Sequence, residues 1–119
     1  MINAREQIKD ELLKITDNVR LMKPEALNEF PLIVYGEVTN TPLFKWTTRI
    51  EYQVDVYTNN FSTLLDLCKE VDKKMTGLGF NMTFISPDQM AREDKGVYHK
   101  TIGYEAMVNT KTNNIFSRF

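Results

Sequence analysis

The stretch "RIEYQVDVYTNN" (49–60) limits the folds open to this chain more than any other. Ile50, Tyr52, Val54 and Val56 alternate with Arg49, Glu51, Gln53 and Asp55. That period of two describes a strand with one face against a core and one polar face. Directly after it, Phe61, Leu64, Cys68, Val71, Met75 and Leu78 recur at helical spacing. Asn60 or Ser62 can cap that helix, and Gly79 suits the left-handed position that ends it, with Phe80 folding back on Met75. A switch of period from two to 3.6 across a few residues predicts a helix laid on a sheet, each burying its apolar side on the other.

The flanking segments extend this pattern. "NAREQIKDELLKIT" (3–16) reads as a first helix, with Ile8, Leu12 and Ile15 on one stripe and Val19 adding a turn. Asn3 and Glu6 have capping-box spacing. "FPLIVYGEV" (30–38) is β-branched and aromatic and reads as a strand, whereas the Thr, Asn and Pro of "TNTPLFKWT" (39–47) predict a loop. "FNMTFIS" (80–86) and "GVYHKTIGYEAMV" (96–108) alternate, with Phe80, Met82 and Phe84 sharing one face of the former. They predict a hairpin joined by the polar loop "PDQMAREDK" (87–95). The expected order is αββαββ, an α+β domain whose mainly antiparallel sheet has four strands or slightly more and carries two helices on one face. A single domain spans 1–119, and the aperiodic residues 109–119 are expected to form a flexible C-terminal tail.

Charge narrows the function. Fifteen Lys and Arg against 16 Asp and Glu leave a net charge of −1, so there is no broad positive field to hold nucleic acid or anionic lipid. Apolar runs are too short to span a bilayer, and the first 20 residues lack a signal-peptide core, so a cytosolic chain is expected. The lone Cys68 rules out an internal disulfide and reads as a core residue of the second helix. His99, the one histidine, has no nucleophile in a recognisable turn motif beside it and reads as a half-exposed strand residue. Asp66, Glu70 and Asp72 alternate with lysines as on a solvated helix surface, and "EDKG" (93–96) lacks the spacing of a calcium loop. Tyr52 and Tyr104 share faces with core aliphatics, which leaves little of the aromatic platform that RNA-binding sheets present. No catalytic, cofactor or metal residue is assigned.

Surplus apolar side chains tell more. Leu43, Phe44 and Trp46 fall in the expected loop, and Ile115, Phe116 and Phe119 in the expected tail. Aromatic residues outside periodic segments are the residue types that anchor protein interfaces. The mixed-charge strand face of Arg49, Glu51, Gln53 and Asp55 suits complementary contacts between subunits. The interface set read from the residues is therefore Leu43, Phe44, Trp46, Arg49, Glu51, Asp55, Phe116 and Phe119.

"YQVDVYTNNFSTLLDLCKEVDKKMTGLGF" (52–80) and "EDKGVYHKTIGYEAMV" (93–108) resemble the tail-completion or tail-terminator proteins of long-tailed bacteriophages and prophages. The likeness rests on the strand ending in Tyr-x-Asn-Asn, the helix ending in Met-x-x-Leu-Gly-Phe, and the "EDKGVYHK" region before a last strand; with "FPLIVYGEV" it covers about residues 30 to 108. It implies a virion structural protein, made in the host cytoplasm, that forms a ring, usually a hexamer, on the tail tube. Such a ring ends tube polymerisation and receives the filled head. Implied partners are further copies of the chain, the tail-tube protein and a head-completion or stopper protein; DNA passes through without being read. Two alternatives stay open: an adaptor or stopper of the same head–tail junction, and a small-ligand-binding or enzymatic host domain.

Overall fold

The computed structural model describes residues 4–21, 30–87, 89–92, 96–112 and 114–116. Along the chain run α1 (Ala4–Leu12), β1 (Val19–Leu21), β2 (Leu32–Phe44), β3 (Thr47–Thr58), α2 (Phe61–Leu78), β4 (Asn81–Ile85), β5 (Gln89–Arg92), β6 (Val97–Asn109) and β7 (Asn114–Phe116). The fold is α+β, with seven strands in one sheet. The centre of the sheet is the antiparallel pair β3–β6, in unbroken register from Thr47↔Asn109 to Thr58↔Tyr98. β2 pairs antiparallel with the other side of β3. The outer edge of β6 is tiled by three short strands, β7 on 107–109, β4 on 102–105 and β5 on 97–99.

The sheet's helix-side face carries the core. Ile8 and Leu12 of α1 and Leu64, Cys68, Val71 and Met75 of α2 pack on Ile33, Tyr35, Val54, Val56, Ile102 and Tyr104. Those on the helices, β3 and β6 are positions that the two periodicities select. The α2 cap is as expected: Asn60 accepts from the Ser62 N–H, and Gly79 is left-handed at φ 106°. The N–H groups of Gly79 and Phe80 close the helix on Thr76 and Met75. Gly79 serves a second purpose, because a Cβ there would press on the Ile115 carbonyl and hold β7 away. Tyr104, buried beneath α2, donates to Asp72 Oδ1 at 3.1 Å, so even its polar end is satisfied. Burial and the neighbouring Asp72 charge both hold its phenol far above the ordinary range.

Several sequence expectations are corrected. The first helix stops at Leu12, and Val19 joins β1, which runs parallel to β2 through Val19↔Ile33; the sheet is therefore mixed. The expected loop 39–47 is mostly strand. β2 continues to Phe44 and turns through Lys45 and Trp46, because β3 offers an unbroken partner. Pro42 is tolerated beside a β-bulge near the hairpin end, where β2 has no second neighbour among the described residues. The loop 87–95 contributes β5, and the expected tail contributes β7, each taking up free hydrogen-bonding groups on β6. Phe61 belongs to the helical stripe by spacing, yet it lies half exposed at the helix start, edge-on to Tyr98. In β4 a bulge between Met82 and Phe84 breaks the alternation, and both side chains are exposed.

Leu64 and Leu65 are neighbours on α2 with opposite fates, Leu64 fully enclosed and Leu65 55% exposed. Leu64→Ala is expected to cost about 3 kcal/mol of unfolding free energy, and Leu65→Ala less than about 0.5 kcal/mol. Denaturant titration of the two variants checks the assignment of the core face.

Candidate functional site

The sheet face turned away from the helices gathers most of the residues singled out by sequence. Register across β2, β3, β6 and the edge strands lays them out in rows. Nearest the β2–β3 hairpin is Thr41, Arg49, Met107 and Phe116; next come Thr39, Glu51, Glu105 and Asn81. The third row is Gly36, Gln53, Gly103 and Phe84, the fourth Val34, Asp55 and Thr101, and the last Leu32, Tyr57 and His99. The face is not uniformly polar, since Leu32 and Val34 are buried there and β2 is enclosed on both sides at its start.

The two rows nearest the hairpin share one charged strip. Arg49 donates from Nη2 and Nε to Glu105 Oε2 at 2.6 and 3.1 Å, and its Nη1 lies 2.8 Å from Glu51 Oε1. The Glu105 hydrogen bond, helped by both carboxylates, holds the guanidinium above its ordinary pKa. One cation shared by two carboxylates leaves the strip with one surplus negative charge. Exposed apolar groups flank it on this face, Phe84 (51%) on β4 and Phe116 on β7, and β2 beside it carries exposed Val38 (56%) and Leu43. Val38 and Leu43 are the extra residues at the two bulges of β2, where such insertions re-aim side chains. The Phe84 ring lies over Gly103, where any Cβ would collide with it. At the hairpin tip Trp46 is 47% exposed, with Lys45 Nζ and Lys111 Nζ 5.3 and 5.4 Å from its ring.

Farther along the same face a second cluster is turned on itself. Asp55 Oδ1 accepts from the Thr101 hydroxyl at 2.5 Å and lies 2.9 Å from His99 Nε2, while Gln53 Nε2 reaches Oδ2 at 3.2 Å. His99 stacks flat on Tyr57, with ring centroids 4.3 Å apart. Burial opposes ionisation of Asp55, but the bonds from His99, Thr101 and Gln53 outweigh it and set its pKa below the ordinary value. The arrangement does not form a nucleophile relay. Thr101 and Asp55 both approach the same ring nitrogen, whereas a relay uses the two nitrogens for base and orienter separately. The cluster acts as a clamp joining β3 to β6.

Arg49 and Glu51 thus come together with Glu105, while Asp55 stands in a separate network. Leu43, Trp46 and Phe116 are exposed, Trp46 at the tip and Phe116 beside Met107 on the sheet edge. The Phe44 side chain and Phe119 lie outside the described residues. Glu105, Phe84, Lys45 and Lys111 are not among the interface residues that the sequence pattern singles out. The alternation His99, Thr101, Gly103, Glu105, Met107 was a signal for Glu105, but only register shows which side of β3 it meets. Lys111 reaches Trp46 through a turn in which the Thr110 N–H donates to the Trp46 carbonyl at 2.8 Å. No protein-family model matches the chain, and no curated protein matches its sequence.

Replacing Asp55 by Asn removes a charged acceptor from three donors and is expected to lower stability by about 1–3 kcal/mol at neutral pH. Because the folded pKa is depressed, the carboxylate's contribution is present above the unfolded value of 3.8 and lost as pH falls through the folded one. The gap between wild type and Asp55→Asn should therefore narrow below about pH 4. Chemical denaturation at stepped pH measures it.

Proposed function

We propose that this chain is a structural protein of a long-tailed bacteriophage or prophage that caps the tail tube as an oligomeric ring. It ends tube polymerisation and presents the surface for head attachment. The observation that carries the reading is the hairpin end of the open sheet face, where Phe84 and Phe116 stand exposed beside the Arg49–Glu51–Glu105 strip, with Val38 and Leu43 exposed at the bulges of the adjoining β2. An apolar margin around a charge-paired centre suits a protein contact, in which the charges set register and the apolar groups supply affinity. The resemblance in residues 30 to 108 supports the same reading. A net charge of −1 also suits a channel through which DNA slides without being gripped. A ring contact joins two different patches of each copy, and here the hairpin tip and the open face are distinct patches. Beyond the ring, the partners are the tail-tube protein below and a head-completion or stopper protein above.

An adaptor or stopper of the same junction has the same needs and is separated by the mutant phenotype. A small-ligand host domain would draw on His99 and Asp55, but His99 Nε2 and Asp55 Oδ1 already meet each other and Thr101, and Gln53 holds Asp55 Oδ2.

Particles made without the protein should show tails of uncontrolled length or tails without heads in electron micrographs; full heads that leak DNA instead identify a stopper. Trp46→Asp should fold with wild-type stability and fail to complete tails, and normal tails in that variant remove the hairpin tip from the interface.

A further inference from the structure

Resting on the ring reading above, we infer that the two patches of each subunit contact are identifiable: the hairpin tip of one copy seats on the charged strip of the next. The tip offers a half-exposed indole with Lys45 and Lys111 beside it. Neither lysine has a carboxylate partner among the described residues; each lies over the Trp46 ring. The strip offers the complement: Glu51 and Glu105 share the single cation of Arg49, leaving one carboxylate charge unbalanced. Those side chains are one-fifth to one-third exposed, open enough for contact and shielded enough for charge to count.

Shape and apolar surface agree with charge. Phe84 and Phe116 border the strip on the β4–β7 side, and Val38 and Leu43 lie toward the β2 side. The small dent lined by Arg49, Glu105, Ala106 and Met107 lies between these margins. An indole laid across it meets rings at its edge and a guanidinium plane at its centre, while its two lysines reach the glutamates. The occupant is a second copy of this chain. The tip is basic and aromatic and the strip acidic and apolar-rimmed, so the chain carries both halves of one complementary pair.

The test mixes ¹⁵N-labelled and unlabelled full-length chains, alone and with tail tubes, and couples amines to carboxylates with a zero-length carbodiimide. Mixed-isotope peptides joining Lys45 or Lys111 to Glu51 or Glu105 are expected. The double variant Lys45→Glu/Lys111→Glu should weaken association about tenfold or more. Adding Glu51→Lys should recover much of that loss, as measured by light scattering. Oligomers that form without those cross-links, or that are indifferent to the double variant, overturn this contact and leave the ring reading standing. A chain that stays monomeric both alone and beside tail tubes overturns both.

Discussion

The twelve-residue pairing of β3 with β6 is the constraint from which the rest of the molecule follows. Two long antiparallel strands in unbroken register have no freedom to turn one side chain without turning all. With Ile50, Tyr52, Val54 and Val56 set toward the helices, Ile102, Tyr104 and Ala106 must follow. Arg49, Glu51, Gln53 and Asp55 then meet Met107, Glu105, Gly103 and Thr101 on the other side. The core and the open face are one decision, taken once along the ladder. The Asp55 clamp strengthens that choice, because a slip of one residue would bury its carboxylate against α2 without its three donors.

What could be read from the residues follows the same division. Strict alternation in 50–56 and the stripe Leu64, Cys68, Val71, Met75 named the core and the α2 cap correctly, since burial on one side leaves a local periodic trace. Short strands left no such trace. β1, β5 and β7 have three or four residues each and exist because β2 or β6 has backbone groups to share. The segment 39–47 read as a loop because Pro42 and Asn40 are turn formers in isolation, while the neighbouring β3 supplies the context that makes it strand. On the open face, alternation named the β3 half of the charged strip. Glu105 stayed invisible because its role depends on which residue of a distant strand it opposes.

Electrostatics divides the open face into two regions of different character. Around Asp55 both carboxylate oxygens are held by His99, Thr101 and Gln53, the ring of His99 is covered by Tyr57, and Leu32 and Val34 are buried alongside. That region resists change and holds the sheet together. Around Arg49 the pairing is lopsided and partly wet, and the apolar side chains nearby find no cover within the described chain. Native chains keep large apolar groups at the surface in clusters mainly where a partner covers them. The glycine row between the two regions, Gly36 and Gly103 with Phe84 laid over the latter, marks the border.

The sheet also ends in an open strand, since β1 covers β2 only from Ile33 to Tyr35 and the residues from Gly36 to Phe44 have no second neighbour among the described residues. An open edge of that length is the usual invitation to add strands from another copy, and unchecked addition gives fibres instead of closed rings. This edge is poorly built for it. Two bulges break its hydrogen-bond spacing within seven residues, and Pro42 removes a donor from it. The same bulges send Val38 and Leu43 outward as extra side chains. β2 thus discourages backbone pairing along its rim while enriching the adjoining surface in apolar groups. Association through side chains on a face can be specific in angle and so can close, which a continuing ladder of strands does not ensure.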